Sequence, residues 1–307
     1  MTDQAPEASA PAKAPRKPLY GGQAVLEGVM MRGPLACAVA VRAPDQTIIV
    51  EYPRGRGLSR RRSAQIPFLR GLFVLVDSLD LGMRALAISA NVQAGEDEPI
   101  EGAPLALAFA FSLLFAVGLF FLLPAGLAYL GERLFHWSPW AMNLGEGVIR
   151  LTIFTAYLAA LGFVPSLRRV YGYHGAEHMT IHAFEAGAPL DVPSVSRFPR
   201  EHPRCGTAFL LTVVILSVVV FSLLGPMPLG VRLLSRVLMV PVLAMFGYEY
   251  IRLTARLAHW RLARLIALPN LALQKLTTRE PEEKMVEVAI AAFQAMRSAE
   301  TAPSPSP

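Results

Sequence analysis

The segment YGYHGAEHMTIHAFE, residues 171–185, holds three of the six histidines of this 307-residue chain at intervals of four: His174, His178 and His182. Glu177 and Glu185 stand among them. A spacing of four stacks side chains along one stripe of a helix. The run from His174 to His178 has the order H-x-x-E-H. In inverted zinc peptidases that order places two imidazoles on a metal while the carboxylate takes a proton from water. Imidazole suits divalent transition metals, and two rings one turn apart grip one ion. Two ligands do not complete a centre, and HPRC, residues 202–205, adds an imidazole and a thiol three residues apart. The expected metal ligands are therefore His174, His178 and His202, with Cys205 or a solvent molecule in the fourth position. The expected ion is a divalent metal, zinc first, and Glu177 is the expected catalytic base. His182, Glu185 and Glu249 are further candidates. Arg252 is the simplest partner for Glu249.

These residues must be positioned by an apolar scaffold. The chain is 53% hydrophobic and 17% charged, with a mean hydropathy of +0.42. That composition points to the membrane class. Residues 105–130 carry no charge and exceed the roughly 20 residues that cross a bilayer core. Further apolar runs cover 151–167, broken near its end by Pro165, then 207–231 and 237–248. The last reaches spanning length only if Arg232 or Arg236 joins it. The fold class expected is mainly α: a polytopic helical membrane protein of about four spans, with a small N-terminal β-hairpin region and amphipathic cytoplasmic helices.

Basic residues set the orientation. Arginines crowd the stretches before the first span, between the second and third, and after the fourth, whereas residues 131–147 hold only Arg133. By the positive-inside rule, both termini and the histidine segment face the cytoplasm. The net charge of +6 is then mainly a topology signal. Nucleic acid is not an expected partner, since the charges flank spans and lack interleaved stacking aromatics. The expected partner is the lipid bilayer, here the inner membrane of a bacterium, with any substrate or protein partner unidentified.

The remaining organisation follows from local pattern. Residues 1–18 form an expected disordered arm with no signal-peptide core, and 299–307 a matching tail. Residues 19–103 comprise a glycine-rich segment (GGQAVLEGVMMRGP, 21–34), a hairpin of 36–42 and 47–52, and a helix over 66–92. The glycines suggest tight backbone near the bundle or the site, since their spacing matches no phosphate-binding fingerprint. In the 66–92 helix Arg70, Asp77 and Arg84 share one face and Asp80 can pair with Arg84, so it is amphipathic and lies on the bundle or the interface. Residues 104–254 form the four-span domain, with the histidine-rich loop at 165–206. Residues 255–298 hold a basic membrane-surface helix and an amphipathic helix whose apolar face (Met285, Val286, Ala289, Ile290, Phe293, Met296) must dock. Cys37 and Cys205 are expected as thiols, not a disulfide.

Four separated blocks, GGQAVLEGVMMRGP, YHGAEHMTIHAFE, HPRCGTAFLL and LTTREPEEKMVEVAI, occur in order across roughly residues 20–297. Together they resemble the YqhQ-like bacterial membrane proteins, described as predicted metal-dependent enzymes of unestablished reaction. The resemblance implies an integral membrane protein with a metal site at His174, Glu177 and His178. Met179 stands where many relatives are expected to carry lysine, which leaves those residues untouched. Two functions follow: a metal-dependent hydrolase acting on a peptide or lipid-like substrate, or a non-enzymatic assembly factor or transporter whose metal braces a loop.

Overall fold

The structure is a computed structural model that describes residues 20–55, 57–58, 66–95, 102–203, 205–224, 227–257 and 260–301. The expected N-terminal arm (1–18), the end of the expected tail (302–307), Arg204, His259 and the arginines at 56 and 60–62 lie outside the described residues. The chain is mainly helical.

Four strands, β1 (Gly21–Val25), β2 (Gly28–Arg32), β3 (Cys37–Arg42) and β4 (Ile48–Glu51), form an antiparallel sheet in sequence order. The expected hairpin is β3–β4. The glycine-rich segment adds a second hairpin, turning at Leu26 and Glu27, where Glu27 takes a φ of 50°. Both faces of the sheet are covered, so alternate residues enter two different cores. Val29, Met31, Ala38 and Ala40 face α5 (Pro165–Ala186) and α10 (Glu283–Thr301). Val25, Met30, Val39 and Val41 face Leu81 and Ala85 of α1 (Leu69–Ala94). The apolar stripe of α10 thus docks within the chain, with Val286, Ala289, Phe293 and Met296 buried. Each large side chain among these contributes about 1.5–3 kcal/mol by leaving water.

α2 (Ala103–Val117) runs through a π-helical turn, Gly118–Leu122, into α3 (Leu123–Phe135). α4 (Pro139–Leu161), the four-residue α6 (Val192–Val195), α7 (Gly206–Leu223), α8 (Leu229–Arg256) and α9 (Arg261–Thr277) complete the chain. Among the described residues four helical stretches are long and apolar enough to cross a membrane: Ala106–Phe135, Trp140–Leu161, Gly206–Leu223 and Leu229–Thr254.

The second stretch starts eleven residues earlier than the sequence suggested and stops before Pro165, which opens α5 instead. The fourth takes in both Arg232 and Arg236. The reason is a buried ionic cluster. Glu146 of α4 accepts from Arg236 at 2.9 and 2.7 Å and from Arg150 at 2.5 Å, and Arg232 approaches it at 3.5 Å. Arg150 also donates to the Phe120 carbonyl in the π-helical turn and to Ser217 on α7. The Arg150 and Arg236 guanidiniums lie over the ring of Phe221. Charges that look incompatible with a span are tolerated once they satisfy one another inside the bundle.

Candidate metal centre

α5 carries the histidines, and two glycines decide what can cross it. Arg279 donates its backbone N–H to the Tyr171 carbonyl at 2.9 Å. A Cβ on Gly175 would overlap the Arg279 carbonyl oxygen, and one on Gly172 would press the Met285 sulfur. The two glycines, three apart on one face, let the TTREP stretch and the start of α10 lie directly on the helix. Two sequence blocks more than ninety positions apart are thereby one contact surface.

That crossing orients the first imidazole. His174 Nδ1 sits 2.8 Å from the carbonyl oxygen of Thr277, the last residue of α9. His178 Nδ1 sits 2.5 Å from the Arg200 carbonyl, and His182 Nε2 lies 2.9 Å from the Glu201 carbonyl. A carbonyl only accepts, so each of these nitrogens carries the proton. In the neutral rings the lone pair is left on Nε2 of His174 and His178 and on Nδ1 of His182. Metal-binding histidines are held in this way, one nitrogen donating to a fixed acceptor while the other faces the ion.

The ligand atoms fall into two adjacent groups. His174, His178 and Cys205 each offer one donor, all within 4.8 Å of one another. His174 Nε2 is 3.1 Å from the Cys205 sulfur, and Cys205 stands at the N-terminus of α7 with Thr207 against its Sγ. His182, Glu185 and His202 form the second group, within the same distance limit. Of the four expected ligands, the structure therefore gathers His174, His178 and Cys205. His202 is one step further along α5, its ring centroid 5.7 Å from that of His178 and 4.6 Å from that of His182. Cys37 belongs to β3 and to neither group, a thiol whose pKa burial pushes up to about 11.

Glu177 lies on the sheet side of the stripe. It is buried, and a Cβ on Gly22 of β1 would come 2.9 Å from its Cγ and Cδ. Burial raises its pKa to about 7, against the opposing pull of His174 and of the Gly22 backbone N–H. Among the described residues its Oε2 has no hydrogen-bond partner. A buried carboxylate oxygen left this way costs stability that a purely architectural side chain would not need to spend.

Sequence reasoning missed the residues that hold the ligands. Gln274 of α9, fully buried, accepts from the His202 N–H at 2.7 Å and donates to the His202 carbonyl at 2.9 Å. The LTTREP block was visible as a motif, but a glutamine two residues before it carries no signal of its target. Glu249 is held by Arg70 and by the Phe68 backbone N–H, so its partner is α1 and not Arg252. The Asp80–Arg84 pair forms as expected, at 3.1 Å. A cavity of about 410 Å³ lined by Glu27, Arg42, Arg169, Tyr173 and Lys284 opens beside the sheet, away from the histidines.

A small sheet clasped by helices, four helices long and apolar enough to cross a membrane and a histidine–cysteine cluster make a mainly helical protein with residues that could hold a metal, among the described residues. The chain belongs to the family described as "Protein of unknown function (DUF1385)", whose family model matches residues 66–299. It is 34% identical over 291 residues to "Uncharacterized protein YqhQ" of Bacillus subtilis (strain 168), covering 90% of this chain and 91% of that one. No solved structure matches it.

Proposed function

We propose that this chain is a multi-pass protein of the bacterial cytoplasmic membrane whose cytoplasmic side carries a divalent-metal centre, and that the centre serves hydrolysis of a peptide or lipid-like substrate. His174, His178 and Cys205 are the ligands within mutual reach, and the carbonyls on their far nitrogens orient both rings. Two imidazoles and a thiolate favour zinc over magnesium or calcium. The donor set fits such an ion: its atoms already lie within 4.8 Å, so small side-chain movements close it. A divalent ion bound there supplies Lewis acidity toward a carbonyl or phosphoryl oxygen.

The chain's own contribution is the carboxylate. Glu177 sits beside His174, excluded from bulk solvent, with one oxygen unpartnered among the described residues. That oxygen is the observation that carries the hydrolytic reading, because a proton acceptor must keep a lone pair available. The orientation follows from the basic stretches. Arg168 and Arg169 lie near the start of α5 and Arg197 and Arg200 in the loop after it, while residues 131–147 carry only Arg133 among Lys and Arg.

A second reading has its own support. The three ring-to-carbonyl bonds tie α5 to the 200–201 loop and to the end of α9, and the 410 Å³ cavity lies elsewhere. A metal there would brace the junction without catalysis. Metal content and complementation of a deletion strain separate the two. Glu177→Gln keeps the shape and removes the proton acceptor. Under the hydrolytic reading it retains metal and loses function, whereas His178→Ala loses both. Full complementation by Glu177→Gln would end the hydrolase reading and leave the brace.

A further inference from the structure

We propose that His182, Glu185 and His202 form a second divalent-cation site, so that the chain holds a pair of ions along α5. The inference stands on its own donor set, whether or not Glu177 acts on a substrate.

The sequence repeats itself at this point. HGAE, residues 174–177, is followed eight positions later by HAFE, residues 182–185. Four residues of α5, His174, His178, His182 and Glu185, therefore continue one stripe past the first ligand group. His182 donates Nε2–H to the Glu201 carbonyl, which leaves Nδ1 as its ligand atom. Glu185, three residues on, lies on the same face of the helix. His202 completes the group from the loop, with its Nε2 3.6 Å from Glu185 Oε2. Ligand bonds of about 2.1 Å at tetrahedral angles place donor atoms about 3.4 Å apart. That pair therefore already stands near the edge length of a metal polyhedron, and all three donors lie within 4.8 Å.

The loop residue is presented rigidly. Both backbone groups of His202 are held by the side-chain amide of Gln274, itself completely buried. A ligand fixed before the ion arrives does not have to be ordered by it. A loop histidine packed for architecture alone needs neither a carboxylate nor a second imidazole in front of it.

The two sites differ in chemistry. Cys205 makes the first soft, suited to zinc. Two imidazoles and a carboxylate make the second harder, open to zinc, manganese or iron(II), and that donor set commonly keeps a coordination position for an exogenous ligand. The Glu185 side chain is 31% exposed, whereas His178 and Cys205 are buried. The second site is thus the more open of the two to solvent, and the His178 and His202 rings, their centroids 5.7 Å apart, are where the two groups adjoin.

Cobalt(II) titration of the full-length protein, purified in detergent and stripped with a chelator, tests this. Cobalt on a thiolate gives a charge-transfer band that cobalt on nitrogen and oxygen lacks. The wild type should bind two equivalents per chain, only one of them developing the charge-transfer band. The double variant His182→Gln, Glu185→Gln should bind one equivalent and keep that band. Cys205→Ser should lose the band and keep the equivalent bound by His182, Glu185 and His202. One equivalent in the wild type, with its thiolate band, unchanged in the double variant, overturns the second site and leaves the first. One equivalent without the band, abolished in the double variant, supports the second site and removes the first. No bound cobalt in the wild type overturns both. The wild-type stoichiometry is independent of how any variant folds.

Discussion

Replacing Gln274 by leucine is the most direct probe of how the loop ligand is held. The two side chains are similar in size, so little cavity is created. What is lost is a pair of hydrogen bonds to the His202 backbone, at 2.7 and 2.9 Å, in a fully buried setting. The His202 N–H is then stranded, at about 1–3 kcal/mol, while its C=O keeps the Cys205 N–H at 3.3 Å. A loss of about 2 kcal/mol corresponds to a factor of roughly 30 in an equilibrium constant. If the 200–203 segment opens in response, any ion ligated by His202 must reorder it on binding and is weakened by up to that factor. Two measurements apply: thermal unfolding of the metal-free protein in detergent, and zinc affinity by competition with a chromophoric chelator. Both should fall for Gln274→Leu. Gln274→Glu, which keeps the acceptor for the N–H and loses the donor, should also lower them. A Gln274→Leu protein with the wild-type melting temperature and zinc affinity would refute the clamp as an energetic element.

Gly175→Ala should lower stability and metal content together, because its Cβ meets the backbone oxygen of Arg279, which cannot rotate aside; metal analysis beside thermal unfolding reads this. Glu146→Gln leaves Arg150, Arg232 and Arg236 without their shared carboxylate and should cost about 3–5 kcal/mol, seen as a large loss of thermostability in detergent. Sidedness reporters placed after Ala94, Trp137, Pro193 and Pro228 should read cytoplasm, outside, cytoplasm, outside; opposite readings at Ala94 and Pro193 would put α1 across the membrane. Hydrogen bonding from Arg169, and then the Arg169 charge and Tyr173, hold the Glu27 carboxyl below the usual carboxylate range. Its contribution is therefore present at neutral pH and is lost as pH falls through that lowered value, so Glu27→Gln should flatten the acid limb of the stability profile.

The parts of this architecture written in local periodicity could be read directly. The histidine stripe, the amphipathic α1 and α10, the β3–β4 hairpin and the number of apolar helices all have short repeats in sequence. The misplaced edges share one cause. Glu146, Arg150, Arg232 and Arg236 look hostile to a span one at a time, and only their meeting across α4 and α8 makes them acceptable. The β1–β2 hairpin was hidden by its glycines, which local reasoning assigns to a loop, whereas Gly22 is glycine because Glu177 and the Met30 carbonyl press on it. The grouping of His202 with His182 and Glu185 depends on where α9 carries Gln274. Nothing within a window of neighbouring residues encodes that distance. The same holds for Arg70 and Glu249, 179 positions apart.

Tyr20 donates to Glu300 across 280 positions at 3.3 Å, and α10 packs against β2 and β3. Gly22 touches Glu177, while Gln274 and Thr277 hold His202 and His174. The N-terminal strands and the C-terminal helix of the described residues are therefore neighbours, and the histidines of α5 and the following loop are framed by both. Contacts of such high sequence separation form late. A nascent chain still being made has its histidine stripe and its cysteine but neither the Gln274 clamp nor the Thr277 carbonyl. Termination before residue 274 would leave His174 and His202 without the groups that hold them. The grouping of these side chains is thus completed by α9, about a hundred positions after the histidine stripe.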